Sequence, residues 1–333
     1  MRTSFRRFAL AVAVIATAVI VTSPAWAAFP NQGNRILYAR QPVSTSTPPT
    51  TALLGTSTSD LFSIRNNGED RRRVTDSVKA FEYGGYHSPD GTRIVYWAQT
   101  PDGYQVWRAN ADGTARDALT SNPVSVNPNW SRNGNKIVYV KYSSPAASLQ
   151  LGGPLAEAPR LGGGADLMIM NADGTGKRSI LAGTVYAPGW SPTAPEIAYS
   201  GPVGPGLGLF LISPEGGEPQ IVCCKAGGTA LFADWSPDGR RLLYLYLPPA
   251  AGPGAGVQLL TVRRNGTDVV PVTNDSYNIT IPRFSDDGER VIYAKDVGGG
   301  LLDLYSINSD GSGGKKRLTD TPALSEWLNY VIG

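Results

Sequence analysis

The chain is poor in the residues on which most enzyme chemistry depends. Among 333 residues there are one histidine, two cysteines and three methionines. A single histidine, His87, excludes a multi-histidine metal site and leaves one chance at a Ser-His-Asp triad. Cys223 and Cys224 are adjacent, so they cannot close a loop between distant segments. A vicinal disulfide, an intermolecular bond and two free thiols all stay open; the pair reads first as two small apolar residues buried on a strand. Charge is also scarce, at 17% against about 25% in an average domain. No Gly-rich phosphate loop follows a strand and opens a helix. No cofactor, metal site or catalytic residue is therefore expected, although Ca²⁺ among the many Asp-Gly turns stays open.

Glycine (39) and proline (26) are in excess. Both are excluded from helix interiors, so a helical bundle is disfavoured and many tight turns are expected. The 41% hydrophobic content still supplies a core.

Residues 1–27 read as a signal peptide. Arg2, Arg6 and Arg7 precede the apolar run Phe8–Val21, which is shorter than the roughly 20 residues of a membrane span, and Ala25-Trp26-Ala27 offers a cleavage site. The expected mature domain is 28–333, exported to the periplasm or the exterior. Losing three arginines from 30 basic residues leaves 27 against 27 acidic. Zero net charge removes the whole-molecule argument for nucleic-acid binding, and no second long apolar segment implies stable membrane insertion.

What the sequence has in abundance is repetition. One element is an aromatic, a Ser-Pro-Asp-Gly turn or relative, and a β-run with tyrosine. It reads HSPDGTRIVYW at His87, WSRNGNKIVYV at Trp130, WSPTAPEIAYS at Trp190, WSPDGRRLLYL at Trp235 and FSDDGERVIYA at Phe284. A sixth copy is split between PNQGNRILYA at Pro30 and SEWLNYV around Trp327. A second element alternates apolar residues into a glycine turn: DLFSIRNNG, QVWRANADG, DLMIMNADG, LFLISPEGG, LLTVRRNG and DLYSINSDG. Short runs such as RRRVT, RDALT, VVPVT and KKRLT follow. The turn glycines Gly68, Gly113, Gly174, Gly216, Gly266 and Gly311 are 45, 61, 42, 50 and 45 residues apart.

Asn-Gly and Asp-Gly between alternating strands are strong hairpin signals, because both residues tolerate positive φ. Each repeat thus predicts four antiparallel strands, A to D in chain order. One such sheet cannot bury both faces, so neighbours must stack. The expected fold is all-β: a six-bladed β-propeller of four-stranded blades, its ring closed by pairing N- and C-terminal strands.

The pattern W-S-P-D-G…I-x-Y…D-L-Y-x-x-N-x-D-G…R-L-T resembles the TolB-type β-propeller repeat family across 30–333. The resemblance implies the propeller fold and the binding of envelope protein partners. Repeats begin close to the expected cleavage site, so the α/β domain that precedes the propeller of TolB is not expected, nor is a role as the Tol component proper.

Strand alternation puts A–B and C–D turns on one face, and B–C and D–A connections on the other. Insertions fall in B–C positions at 40–59, 142–165, 201–208, 248–256 and 296–301, so that face is expected to carry function. The D–A connections offer Glu82, Tyr83, Asn127, Asn129, Tyr186, Asp234, Tyr277, Asn278, Arg283 and Glu326 around a channel mouth. This polar and aromatic ring suits an envelope or extracellular protein or peptide. A glycan is the alternative: glycosidic cleavage needs two carboxylates about 5–9.5 Å apart, which Glu82, Asp234 or Glu326 would supply. His87 fills an aromatic slot and reads as packing between blades. Asp60, Asp166 and Asp303 open C strands and read as repeat signature.

Overall fold

A computed structural model describes residues 21–22, 35–41, 60–65, 69–77, 80–121, 124–143, 164–224, 228–249, 257–273, 279–285, 287–298, 301–319 and 327–328. All regular structure among them is β. No described helix is long and apolar enough to cross a membrane.

The strands in chain order are β1 (Val21–Thr22), β2 (Arg35–Gln41), β3 (Asp60–Arg65), β4 (Arg72–Arg73), β5 (Phe81–His87), β6 (Arg93–Thr100), β7 (Gly103–Asn110) and β8 (Asp117–Ala118). Next come β9 (Ser125–Trp130), β10 (Lys136–Tyr142), β11 (Ala165–Asn171), β12 (Arg178–Leu181), β13 (Tyr186–Trp190), β14 (Ile197–Val203), β15 (Gly206–Ile212) and β16 (Gln220–Cys223). The last are β17 (Thr229–Trp235), β18 (Arg241–Leu247), β19 (Gln258–Arg263), β20 (Val270–Pro271), β21 (Ile279–Phe284), β22 (Arg290–Gly298), β23 (Leu301–Asn308), β24 (Lys316–Arg317) and β25 (Trp327–Leu328).

Sequential strands pair antiparallel into four-stranded units: β5–β8, β9–β12, β13–β16, β17–β20 and β21–β24. The first sheet is β1-β2-β3-β4, with β25 also on β2. Thus Trp327 and Leu328 face Gln41 and Arg40, while Val21 and Thr22 face Tyr38 and Leu37. Neighbouring units are linked by single parallel pairs between the start of a C strand and the next D–A connection: Tyr104 with Val124, Ala165 with Thr184, Leu207 with Thr229.

The repeat explains the burial. First strands are mostly buried, whereas β4, β8 and β24 are exposed two-residue strands carrying Asp, Lys or Arg, which blunts an otherwise adhesive sheet edge. The tyrosine of each β-run (Tyr96, Tyr139, Tyr199, Tyr244, Tyr293) is buried, as are Trp130, Trp190, Trp235 and Phe284. The core lies between units. Val95, Val106 and Leu119 of one pack on Trp130, Tyr139 and Met168 of the next. Likewise Leu209 and Val222 pack on Phe232, Trp235 and Tyr244. A further cluster contains Ile64 of the first unit and Ile292, Ala294 and Leu304 of the last.

The A–B turn is fastened by its own side chains. In Ser236-Pro237-Asp238-Gly239, Ser236 Oγ donates to Asp238 Oδ1 at 2.6 Å and accepts Arg241 N–H at 2.8 Å. The C–D turns differ from expectation. Asp112, Asp173 and Asp310 keep ordinary backbone φ; in each Asp-Gly pair the glycine alone is left-handed, and a second left-handed residue follows two positions on, at Ala115, Gly176 and Gly313. The aspartate instead accepts hydrogen bonds: Asp173 Oδ1 takes Thr175 N–H at 2.9 Å and Thr175 Oγ1 at 2.6 Å. These bonds hold the Asp112, Asp173 and Asp310 carboxyls below their usual range.

Two further readings are corrected. The stretch 201–208 is not an insertion loop: Gly201 to Val203 pair with Gly208 to Gly206 around the two residues Gly204 and Pro205. At 296–301, β22 runs to Gly298 and β23 starts at Leu301, so the expected loop is largely strand. Both stretches are rich in glycine, and the pairing of the flanking strands continues into them. Cys223 and Cys224 are bonded to each other and half-buried, not two buried thiols.

Candidate binding face

The innermost strands share one irregularity. In β5, β9, β13, β17 and β21 the register against the second strand slips before the last residues. Such a bulge bends the strand and re-aims the side chain that follows. In β9 and β13 it contains Asn127 and Ala187, both with positive φ (53° and 45°). In β5 it falls at Gly85, where a Cβ would sit 1.8 Å from the Val95 carbonyl oxygen.

Beyond the bulge, one residue precedes each repeat aromatic: Tyr86, Asn129, Gly189, Asp234 and Arg283. These positions tie each unit to the next. Trp130 Nε1–H donates to the Tyr86 carbonyl at 3.0 Å, and Trp235 Nε1–H to the Gly189 carbonyl at 3.1 Å. Asn129 Oδ1 accepts Trp190 N–H at 3.4 Å, and Asp234 Oδ2 accepts Phe284 N–H at 3.0 Å. Across the same Gly189 seam, Ser200 Oγ accepts Phe232 N–H at 2.7 Å.

Asp234 is the most perturbed carboxyl described. Burial pushes it up to about 6, while the Arg283 charge and the Phe284 and Trp235 N–H groups hold it down. Arg283 is itself buried and lies 5.2 Å from the centre of the Tyr86 ring. The structure therefore brings Asp234, Arg283 and Tyr86 together.

Glu82 forms a second cluster. It is 2% exposed, accepts Ser77 Oγ at 2.6 Å and Thr75 Oγ1, and lies 3.6 Å from the Arg116 guanidinium. Burial raises its carboxyl, and those hydroxyls and the guanidinium oppose the rise. Thr75 closes the Leu-Thr signature: its Oγ1 also accepts Leu61 N–H at 2.7 Å. Thr120 Oγ1 and Thr319 Oγ1 do the same for Val106 at 3.0 Å and Leu304 at 2.9 Å. Asp303, fully buried, accepts Thr319 Oγ1 at 3.1 Å and Arg317 Nε at 2.8 Å, so this repeat acid is a strand tie.

The other expected site residues are dispersed. Tyr186 is buried, and burial pushes its hydroxyl up to about 12. Asn127 is half-buried. Tyr83 pairs with Trp97 in β5 through its backbone, and its side chain is not described. Tyr277, Asn278 and Glu326 lie outside the described residues, as do 42–59, 144–163 and 250–256 of the B–C connections. His87 is buried in its aromatic slot. Sequence reading missed Tyr86, Thr75, Ser77 and Arg116. Aligning the repeats on their aromatics would have found Tyr86, whereas the others are spread over two units and leave no local signal.

The opposite face is made of short, touching turns. A Cβ on Gly134 would lie 3.3 Å from Pro89, on Gly288 3.3 Å from Pro237, and on Gly239 2.0 Å from Thr193, each in the preceding A–B turn. Among the described residues no group of three or more His, Cys, Asp or Glu side chains is placed to hold a metal.

The fold and its seams define a TolB-like β-propeller. The Tol-Pal system protein TolB of Albidiferax ferrireducens is 44% identical over 54 residues, 16% of this chain and 13% of that protein. The chain thus spans about an eighth of that relative. TolB from Acinetobacter baumannii superposes with a TM-score of 0.64 at 16% identity, covering 85% of this chain and 63% of that one. An oligogalacturonate lyase solved in complex with manganese gives 0.58 at 15%, covering 91% and 77%. No protein-family model matches.

Proposed function

We propose that the chain is an exported, non-catalytic binding propeller of the cell envelope, holding a protein or peptide partner on its B–C/D–A face. In this reading the four-stranded units form one six-bladed ring. Trp327–Leu328 is then the inner strand of the first blade, and residues 1–27 are a cleaved leader. The pairing of β25 with β2 and the shared packing of Ile64 with Ile292 and Leu304 support closure. Likeness to TolB supports an envelope setting.

One observation carries the reading. The inner carboxylates are committed to seams: Asp234 holds Phe284 N–H beside Arg283, and Glu82 is held by Thr75, Ser77 and Arg116. Groups so engaged are architectural, which leaves recognition to the long B–C connections. The same engagement weighs against Glu82 and Asp234 as a glycosidic pair, because they serve different seams.

Capture from native envelope extract tests this. Crosslinking with residues 28–333 should enrich a specific protein. A variant in which 144–163 is replaced by a short Gly-Ser turn should lose it while keeping its melting temperature. No enriched protein, or equal capture by the variant, would contradict the reading.

A further inference from the structure

Cys223 ends β16, opposite Leu209 on β15, and its bonded partner Cys224 is the next residue. A bond between neighbours removes very little chain entropy, because loop-closure stabilisation grows with the length of the loop closed. This disulfide is therefore not a staple of the fold. What it fixes is local. Cys224 is left-handed, with φ 74°, a conformation that side-chain-bearing residues rarely adopt. Both cysteines are half-buried, so solvent reaches the site.

The position gives this geometry reach. Cys223 and Cys224, with Tyr246, pack on the cluster of Leu209, Val222, Ala230, Phe232, Trp235 and Tyr244. Five residues after Cys224, Thr229 makes the single parallel pair with Leu207 that links two units. From there β17 runs on to Asp234 and its bond to Phe284 N–H. The approach at this corner is also close: a Cβ on Gly208 would lie 2.9 Å from the Cys223 carbonyl oxygen, and one on Gly228 2.5 Å from the Tyr246 ring.

We propose that Cys223–Cys224 is a reversible dithiol–disulfide exchange site whose redox state sets the backbone conformation at Cys224, just past the end of β16, without changing the stability of the fold. The reductant is a dithiol. One of its thiolates attacks a cysteine Sγ, which breaks the S–S bond, forms a mixed disulfide and releases the other cysteine as a thiolate that takes up a proton. The second reductant thiolate attacks the mixed disulfide and frees the remaining cysteine. Two electrons and two protons pass to the protein, and the reductant leaves as a disulfide. Reduction frees Cys224 to leave the left-handed region.

The test is thiol counting with hydrogen exchange on the purified protein, before and after dithiothreitol, beside the double variant Cys223→Ser/Cys224→Ser. Iodoacetamide should label both cysteines only after reduction. Exchange should then rise several-fold in peptides covering Gln220 to Trp235 and stay unchanged elsewhere, with the melting temperature moving less than about 2 °C. The double variant should match the reduced form and ignore dithiothreitol, and oxidised glutathione should restore the original pattern in the wild type. Labelling without reductant, unchanged exchange on reduction, or a large fall in melting temperature would each overturn the proposal.

Discussion

The Asp234 carboxylate accepts the backbone N–H of Phe284 at 3.0 Å across the seam between two units, with Arg283 beside it. Removing the acceptor of a buried hydrogen bond leaves its donor unsatisfied, at a cost of roughly 1–3 kcal/mol. Asp234→Ala should lower unfolding free energy by about 2 kcal/mol. Asp234→Asn keeps an acceptor for Phe284 N–H and should lose less. Denaturant midpoints of the two variants check the order, and equal losses would contradict it.

The same carboxyl sets a pH dependence. Its folded value is raised from 3.8 to about 6, so the folded state binds the proton more tightly than the unfolded chain. Its stabilising contribution is complete below the unfolded value and is lost as pH rises through the folded one. Stability should fall between about pH 4 and pH 6 by up to about 3 kcal/mol from this group. Glu82 is shifted in the same direction. The depressed Asp112, Asp173, Asp268 and Asp310 act oppositely, and only below the normal carboxylate range. Urea titrations across this window should show the slope, and Asp234→Asn should flatten it.

Two substitutions in one turn should move stability in opposite directions. At Gly113 φ is 83° and a Cβ would sit 1.7 Å from the Val74 carbonyl oxygen of the preceding unit. Gly113→Ala should therefore cost more than about 2 kcal/mol. Two residues on, Ala115 is left-handed at 51°, where the equivalent repeat positions are Gly176 and Gly313. Relief of that strain, less the entropy cost of glycine, should make Ala115→Gly stabilising by about 0.5–1 kcal/mol. Thermal unfolding of the two proteins decides.

The Leu-Thr signature has its own test. Thr319→Val removes the hydroxyl that accepts Leu304 N–H and donates to the buried Asp303. Leaving both groups short of a partner should cost about 1–3 kcal/mol, whereas Val→Thr at an exposed position such as Val269 should be nearly neutral.

Much of the fold was legible because the repeats state it twice, once in the aromatic–turn–tyrosine run and once in the glycine turn. The pairing of Trp327 and Leu328 with β2 follows the split copy. Val21 and Thr22, inside the segment read as leader, share that strand edge, which nothing in their composition signals. The site was read less well. Glu82, Asn129 and Asp234 look like free polar residues at loop ends, but bulges re-aim Asn129 and Asp234 into seams, and Glu82 is taken up by Thr75, Ser77 and Arg116 from separate segments; neither the cross-strand register nor that convergence is carried by one strand's sequence. Asp303 shows the converse: its recurrence at the same place in the repeat marked it as architectural, and its bonds to Thr319 and Arg317 explain why.

The proposed function requires recognition on one face of the propeller. The most direct measurement is site-specific photocrosslinking in native envelopes from two exposed positions: Pro205 at the β14–β15 hairpin tip and Arg132 in an A–B turn on the opposite face. Partner adducts are expected from position 205 and none from position 132. Adducts from 132 alone, or equally from both, would contradict it.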